Sequence, residues 1–128
     1  MELKPGMSFE WTRAITEEDV RRFTELSGDD GIHHTRKDER GRLMAHGLLT
    51  ATLPTKIGGQ LNFMARTMTF EFIAPAYSGD LLLCRGVVES VVAQSTRWKV
   101  KFAFTTTNQA GSPVMRGSAA GMILRPTS

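Results

Sequence analysis

Of its 128 residues only one is cysteine, Cys84, so no disulfide can close within the chain. Cys84 lies among Leu81, Leu82, Leu83 and Val87 in a predicted strand, where it reads as a small buried hydrophobe rather than a nucleophile. The start, Met-Glu-Leu-Lys-Pro-Gly, lacks a basic segment followed by an apolar run. No apolar stretch reaches the length needed to cross a bilayer, so the expectation is a reducing, cytoplasmic setting without a membrane. His-x-x-x-His and Cys-x-x-Cys pairs are missing, and adjacent His33 and His34 on an extended segment would point to opposite sides. No metal is therefore expected. There is no helix-turn-helix pattern and no basic stripe with interleaved aromatics, so nucleic acid is not expected as a partner. The net charge of +3 still suits an anionic ligand or an acidic surface. Repeats, linkers and low-complexity segments are absent, and with 41% hydrophobic residues one domain spanning 1–128 is expected.

What is present is a well-signalled helix followed by a reactive-looking loop. Thr16 is a natural N-cap, Ile15 and Val20 can form a hydrophobic staple across it, and Glu17, Glu18 and Asp19 suit the positive helix end. Val20, Phe23 and Leu26 make one apolar face before Ser27-Gly28 ends the helix. Thr35 to Arg42 is strongly charged and reads as solvated surface. Gly47 to Ile57 is apolar nearly all round, as a buried helix should be, with a kink expected at Pro54 and a stop at Gly58-Gly59. After that the chain is β-rich. Met68, Phe70 and Phe72 alternate with polar residues, as do Trp98, Val100, Phe102 and Phe104, which predicts strands with one buried face. Asp80 to Val92 and Pro113 to Leu124 complete an α+β set with an antiparallel sheet.

The chemistry concentrates in Ser27-Gly28-Asp29-Asp30-Gly31-Ile32-His33-His34. A carboxylate and an imidazole can together hold one water, the first drawing off a proton while the second donates or relays another near neutral pH. Ordinary turn chemistry, with the carboxylates capping backbone amides, is the competing account.

Phe23, Leu26, Ser27, Gly28, Asp29 and His34 fall on the signature aromatic-x-x-aliphatic-Ser-Gly-Asp-x-Asn-Pro-aliphatic-His, with Gly31, Ile32 and His33 replacing its Asn, Pro and aliphatic positions. Two further blocks follow in order, His46-Gly47-Leu48-Leu49 and Pro75-Ala76-Tyr77-Ser78-Gly79-Asp80-Leu81. Over about Phe9 to Leu124 the chain thus resembles the MaoC-like (R)-specific enoyl-CoA hydratases and dehydratases. That resemblance implies a hot-dog fold, an antiparallel sheet wrapped around a central helix, built as a homodimer or a dimer of dimers. It implies reversible hydration of 2-enoyl thioesters in fatty acid metabolism, carried on coenzyme A or acyl carrier protein, to (3R)-3-hydroxyacyl thioesters without a cofactor. Asp29 and His34 take the catalytic positions and the Gly47 N–H that of the thioester oxygen's donor. His33 could replace His34 if the altered loop bulges by one residue, and Thr55 aligns with a supporting hydroxyl. His46 takes a structural place at the start of the central helix. An acyl-CoA thioesterase is the rival within the fold, opposed by the lack of any carboxylate from Gly47 to Ile57. A non-catalytic acyl-thioester binding or scaffold protein is the rival outside enzymes, favoured by the lost Asn-Pro.

Overall fold

The computed structural model describes residues 2–126. Its elements run β1 (Ser8–Ala14), α1 (Glu17–Ser27), α2 (Ile32–Thr35), α3 (Gly47–Thr50), α4 (Thr52–Gln60), β2 (Met64–Phe72), β3 (Leu81–Ala93), β4 (Arg97–Thr107) and β5 (Pro113–Leu124). The strands form one antiparallel sheet in the order β1-β3-β4-β5-β2, with α4 packed on β1 and β3. This is the α+β hot-dog architecture expected from the sequence.

The start of α1 follows its sequence signals closely. Thr16 Oγ1 accepts from Asp19 N–H at 3.0 Å while Asp19 Oδ2 accepts from Thr16 N–H at 2.9 Å, a reciprocal capping box worth about 1 kcal/mol. Ile15 and Val20 are both fully buried, consistent with the staple. Gly28 ends the helix at φ 76°, a left-handed conformation that side-chain-bearing residues resist.

The central helical segment is split rather than merely kinked. Pro54 offers no N–H to the carbonyl of Thr50 and its ring crowds that group, so the break falls at Ala51, between α3 and α4. Gly58-Gly59 does not stop α4, which runs on to Gln60 before Asn62 turns the chain at φ 54°. Gly58 is buried beside Phe63, and this tertiary contact outweighs glycine's poor helix propensity.

Two other expectations are corrected. His33 and His34 lie on the one-turn helix α2, not on an extended segment, so their rings are neighbours at 3.8 Å between centroids. In β2 the apolar residues do alternate, yet Met64, Met68 and Phe72 stay exposed, since this strand is the sheet edge and α3 and α4 reach it only at Phe72 and beside Met68. The core gathers instead around Leu53 and Ile57 of α4 and Leu82, Val88, Val100, Phe102 and Phe104 of the central strands. Cys84 is buried there, and burial pushes its thiol pKa up, as suits an unreactive side chain. No helix among the described residues is long and apolar enough to cross a membrane.

Candidate active site

The left-handed turn at Gly28 sends the chain back across the end of α1, and the next residues brace one another. Ser27 Oγ donates to the Phe23 carbonyl at 2.7 Å and accepts from Asp29 N–H at 3.0 Å. Asp29 Oδ1 accepts from Gly31 N–H at 3.2 Å, the local turn that Asp favours. Gly31 then leads directly into α2, which turns His34 inward.

His34 is buried, its side chain 6% exposed, whereas the Asp29 side chain is 57% exposed. His34 Nδ1 lies 2.6 Å from the carbonyl oxygen of Met44, and since a carbonyl only accepts, Nδ1 carries a hydrogen. That choice turns Nε2 towards the Asp29 carboxylate, 3.5 Å from Oδ2. The carboxyl pKa of Asp29 is held below its usual value, first of all by the bond from Gly31 N–H; burial acts next and in the opposite direction, and the neighbouring imidazoles add smaller lowering effects. With Nε2 unprotonated, both facing atoms are acceptors. At 3.5 Å they leave no room for a water between them; an outward rotation of the exposed carboxylate would let one water donate to both.

His46 lies beneath this pair. Its ring stacks on that of His34, centroids 3.7 Å apart and planes 17° apart, and Phe23 closes the other side at 4.8 Å. His46 Nε2 is 3.0 Å from the Asp29 backbone oxygen and 3.2 Å from Thr24 Oγ1. Burial pushes the pKa of this imidazole down. Although it occupies the N-cap position of α3, its side chain makes no capping bond.

Asp29, His34 and His46 could be read as a metal triad, their nearest ligand atoms lying within 4.8 Å of one another. The stacking argues against that. Nearly parallel rings aim their in-plane lone pairs side by side, and an ion about 2.1 Å from both nitrogens would sit far out of each ring plane. His46 Nε2 is also already engaged with a carbonyl.

The pair opens onto a cavity of about 650 Å³ bounded by His33, Gly47, Thr50, Phe72 and Val114. Gly47 N–H opens α3, where no intrahelical acceptor exists, and among the described residues no other acceptor engages it. The Phe72 ring passes so close over Gly47 that a Cβ there would come within 2.8 Å of it, so a larger residue would require that ring to move. His33 lines the cavity but is exposed, and its backbone carbonyl accepts from Met44 N–H.

Asp29, His34, Gly47 and His33 are therefore brought together, and Thr55 is not. Thr55 Oγ1 donates to the Ala51 carbonyl at 2.9 Å and lines a separate hollow with Met68 and Phe104. Besides Ser27, the hydroxyl residue that lines the cavity is Thr50, buried at 4% exposure, which sequence reasoning passed over. Its spacing of three residues from Gly47, one helical turn, was the available signal. Of the basic residues on the sheet, Arg66 and Lys99 line a groove with Lys101 and Ser90 that is distinct from the cavity, and Arg97 is engaged by Gln94 at 2.7 Å.

Compared by sequence, the chain matches no protein-family model and no curated protein. Compared by structure it is similar to the (R)-hydratase PhaJ1 of Pseudomonas aeruginosa, with TM-score 0.83 and 25% identity over 99% of this chain and 89% of that one. It is also similar to the (R)-hydratase of A. caviae involved in PHA biosynthesis, with TM-score 0.82 and 20% identity over 93% of this chain and 96% of that one. A MaoC-like dehydratase from Rhodospirillum rubrum aligns with TM-score 0.79 and 20% identity, covering 98% of this chain and 96% of its own. The chain thus has the MaoC-like hot-dog fold of the (R)-hydratases and dehydratases.

Proposed function

We propose that the protein adds water to 2-enoyl thioesters, or removes it from 3-hydroxyacyl thioesters, at the cavity between Asp29, His34 and Gly47. The observation that carries this reading is the 3.5 Å approach of the Asp29 carboxylate to His34 Nε2 beside an unengaged backbone N–H. In hydration the thioester oxygen accepts from Gly47 N–H, which makes the β-carbon electrophilic and stabilises the enolate that forms. Asp29 takes a proton from the bridging water as its oxygen bonds to the β-carbon. The proton held by Asp29 then passes through His34 Nε2 to the α-carbon on the same face as the enolate's electron pair forms the new C–H bond, which returns Asp29 to the carboxylate. Water is consumed, the thioester survives, and no redox partner is needed.

The substrate carrier is coenzyme A or acyl carrier protein, the product the (3R) alcohol, and the working unit a homodimer whose second copy covers the apolar face of β2. The exposed Met64, Met68 and Phe72 support the dimer, since such a strand edge is otherwise an aggregation hazard. Hydrolysis is less well supported: α3 and α4 offer no carboxylate to aim water at a carbonyl. The replacement of Asn-Pro by Gly31-Ile32 favours a non-catalytic acyl-thioester binder as the second reading.

One assay separates the three. The protein is incubated with crotonyl-CoA and longer 2-enoyl-CoAs while the conjugated thioester absorbance and free thiol are followed together. Loss of absorbance without thiol release, giving (3R) product and failing in Asp29→Asn, is the expected outcome. Thiol release would mean a thioesterase, binding with neither change a scaffold, and (3S) product would overturn the stereochemical assignment.

A further inference from the structure

Three imidazoles crowd this site, yet the mechanism uses only one of them. His46 is 3% exposed, touches both the His34 ring and the Asp29 backbone, and has no task in the chemistry above. Resting on the hydratase reading, we propose that His46 is a positioning residue that pins the Asp29 loop through that residue's own carbonyl and backs His34 as a neutral stacked ring.

Proton accounting fixes its state. Nε2 faces the Asp29 carbonyl oxygen at 3.0 Å, which can only accept. Its other neighbour, Thr24 Oγ1, spends its hydrogen on the Val20 carbonyl at 2.9 Å and so presents a lone pair. Nε2 therefore carries the hydrogen. Nδ1 is buried with no partner among the described residues, so a second hydrogen there would meet no acceptor. A cation at His46 would also lie 3.7 Å from the ring of His34. Keeping His46 neutral leaves His34 free to take up and release a proton beside Asp29. The charged and titratable groups around the cluster are Asp29, His33 and His34 from the loop and α2, with Arg21 and Glu25 of α1 bordering the hollow on the far side of His34.

The two roles can be split by substitution. His46→Gln retains an N–H donor for the Asp29 carbonyl and loses the stacked ring, whereas His46→Phe retains a ring and loses the donor. A group that orients a catalytic residue typically costs about 10- to 100-fold when removed. His46→Phe is expected to lose kcat on crotonyl-CoA in that range with KM within about twofold, and His46→Gln to recover part of the loss with an altered pH profile of kcat/KM. Imidazole nitrogen NMR on the wild type should find His46 as the neutral Nε2–H tautomer through the neutral range. Hydrogen exchange should show faster exchange at the Gly31 and His34 amides in His46→Phe but not in His46→Gln.

A charged or Nδ1–H His46 near pH 7 overturns the proposal. So does unchanged kcat and pH profile in both variants while Asp29→Asn is inactive. If the wild type turns over no 2-enoyl thioester, the hydratase reading falls, and the tautomer and exchange measurements still decide whether His46 positions the loop. Should His46→Phe not fold, the tautomer and His46→Gln's pH profile decide it.

Discussion

β4 and β2 carry much the same message in sequence and end in opposite surroundings. In β4 the alternate residues Val100, Phe102 and Phe104 are at most 3% exposed, while in β2 Met68 and Phe72 are 43% and 51% exposed. Alternation reports which side chains share a face of a pleated sheet; it does not report what lies against that face. The central position of β4 between β3 and β5 puts it within the core formed with Leu53 and Ile57. β2 is the outer strand beyond β5: Phe70 still packs against the core, but Met68 meets only the hollow beside Pro54, Gly58 and Phe63, and Phe72 lies over Gly47 at the cavity.

The largest expected effect tests that contrast directly. Phe102→Ala removes a ring that is 1% exposed and in edge-on contact with Phe63 at 5.0 Å between centroids, and should cost about 3–5 kcal/mol in urea unfolding. Met68→Ala, measured at a concentration low enough to keep the protein monomeric, should cost under about 0.5 kcal/mol. Comparable losses in both would mean that β2 is packed within the chain after all, and the comparison would collapse.

A second experiment asks whether another copy supplies the missing cover. Light scattering after size exclusion should give twice 14.2 kDa or a larger even multiple for the wild type. Met68→Glu places a charge on the apolar side of the edge and should shift the mass towards 14.2 kDa while Phe102-side packing is untouched. A wild-type monomer at micromolar concentration would remove the proposed dimer, and a dimer indifferent to Met68→Glu would move its interface elsewhere.

The same limit governs how much of the site was legible. Capping signals, the αL glycine and the β4 alternation are local, and each was read correctly because a few neighbouring residues decide it. The pairing of Asp29 with His34 was also accessible, through spacing and resemblance. The third member of the cluster was not: His46 reaches His34 only after the charged connection folds back to pair Met44 with His33 and Tyr77. Thr55 was misplaced for a related reason. Which helical hydroxyl meets the cavity depends on packing: Thr50 in α3, one turn from Gly47, lines it, while Thr55 in α4 faces the hollow beside Met68 and Phe104.

The smallest effect concerns the helix that presents the loop. Burial favours protonated Asp19, but bonds from the Thr16 backbone and side chain, with the Arg13 guanidinium 2.8 Å away, outweigh it and hold its pKa below the usual 3.8. A carboxylate depressed by folding stabilises above its unfolded pKa and loses that contribution as pH falls through the folded one. Asp19→Asn should therefore lower stability by about 1 kcal/mol or less at neutral pH, with the gap to the wild type closing as pH falls below about 4. Urea titrations of both proteins at neutral and acid pH measure that gap. A gap that persists at low pH would show that Asp19 acts through its shape alone and not through its charge. In that case α1 would owe its cap to neutral hydrogen bonds, and the acid sensitivity of the loop that follows would have to come from Asp29, whose carboxyl is likewise held low by Gly31 N–H.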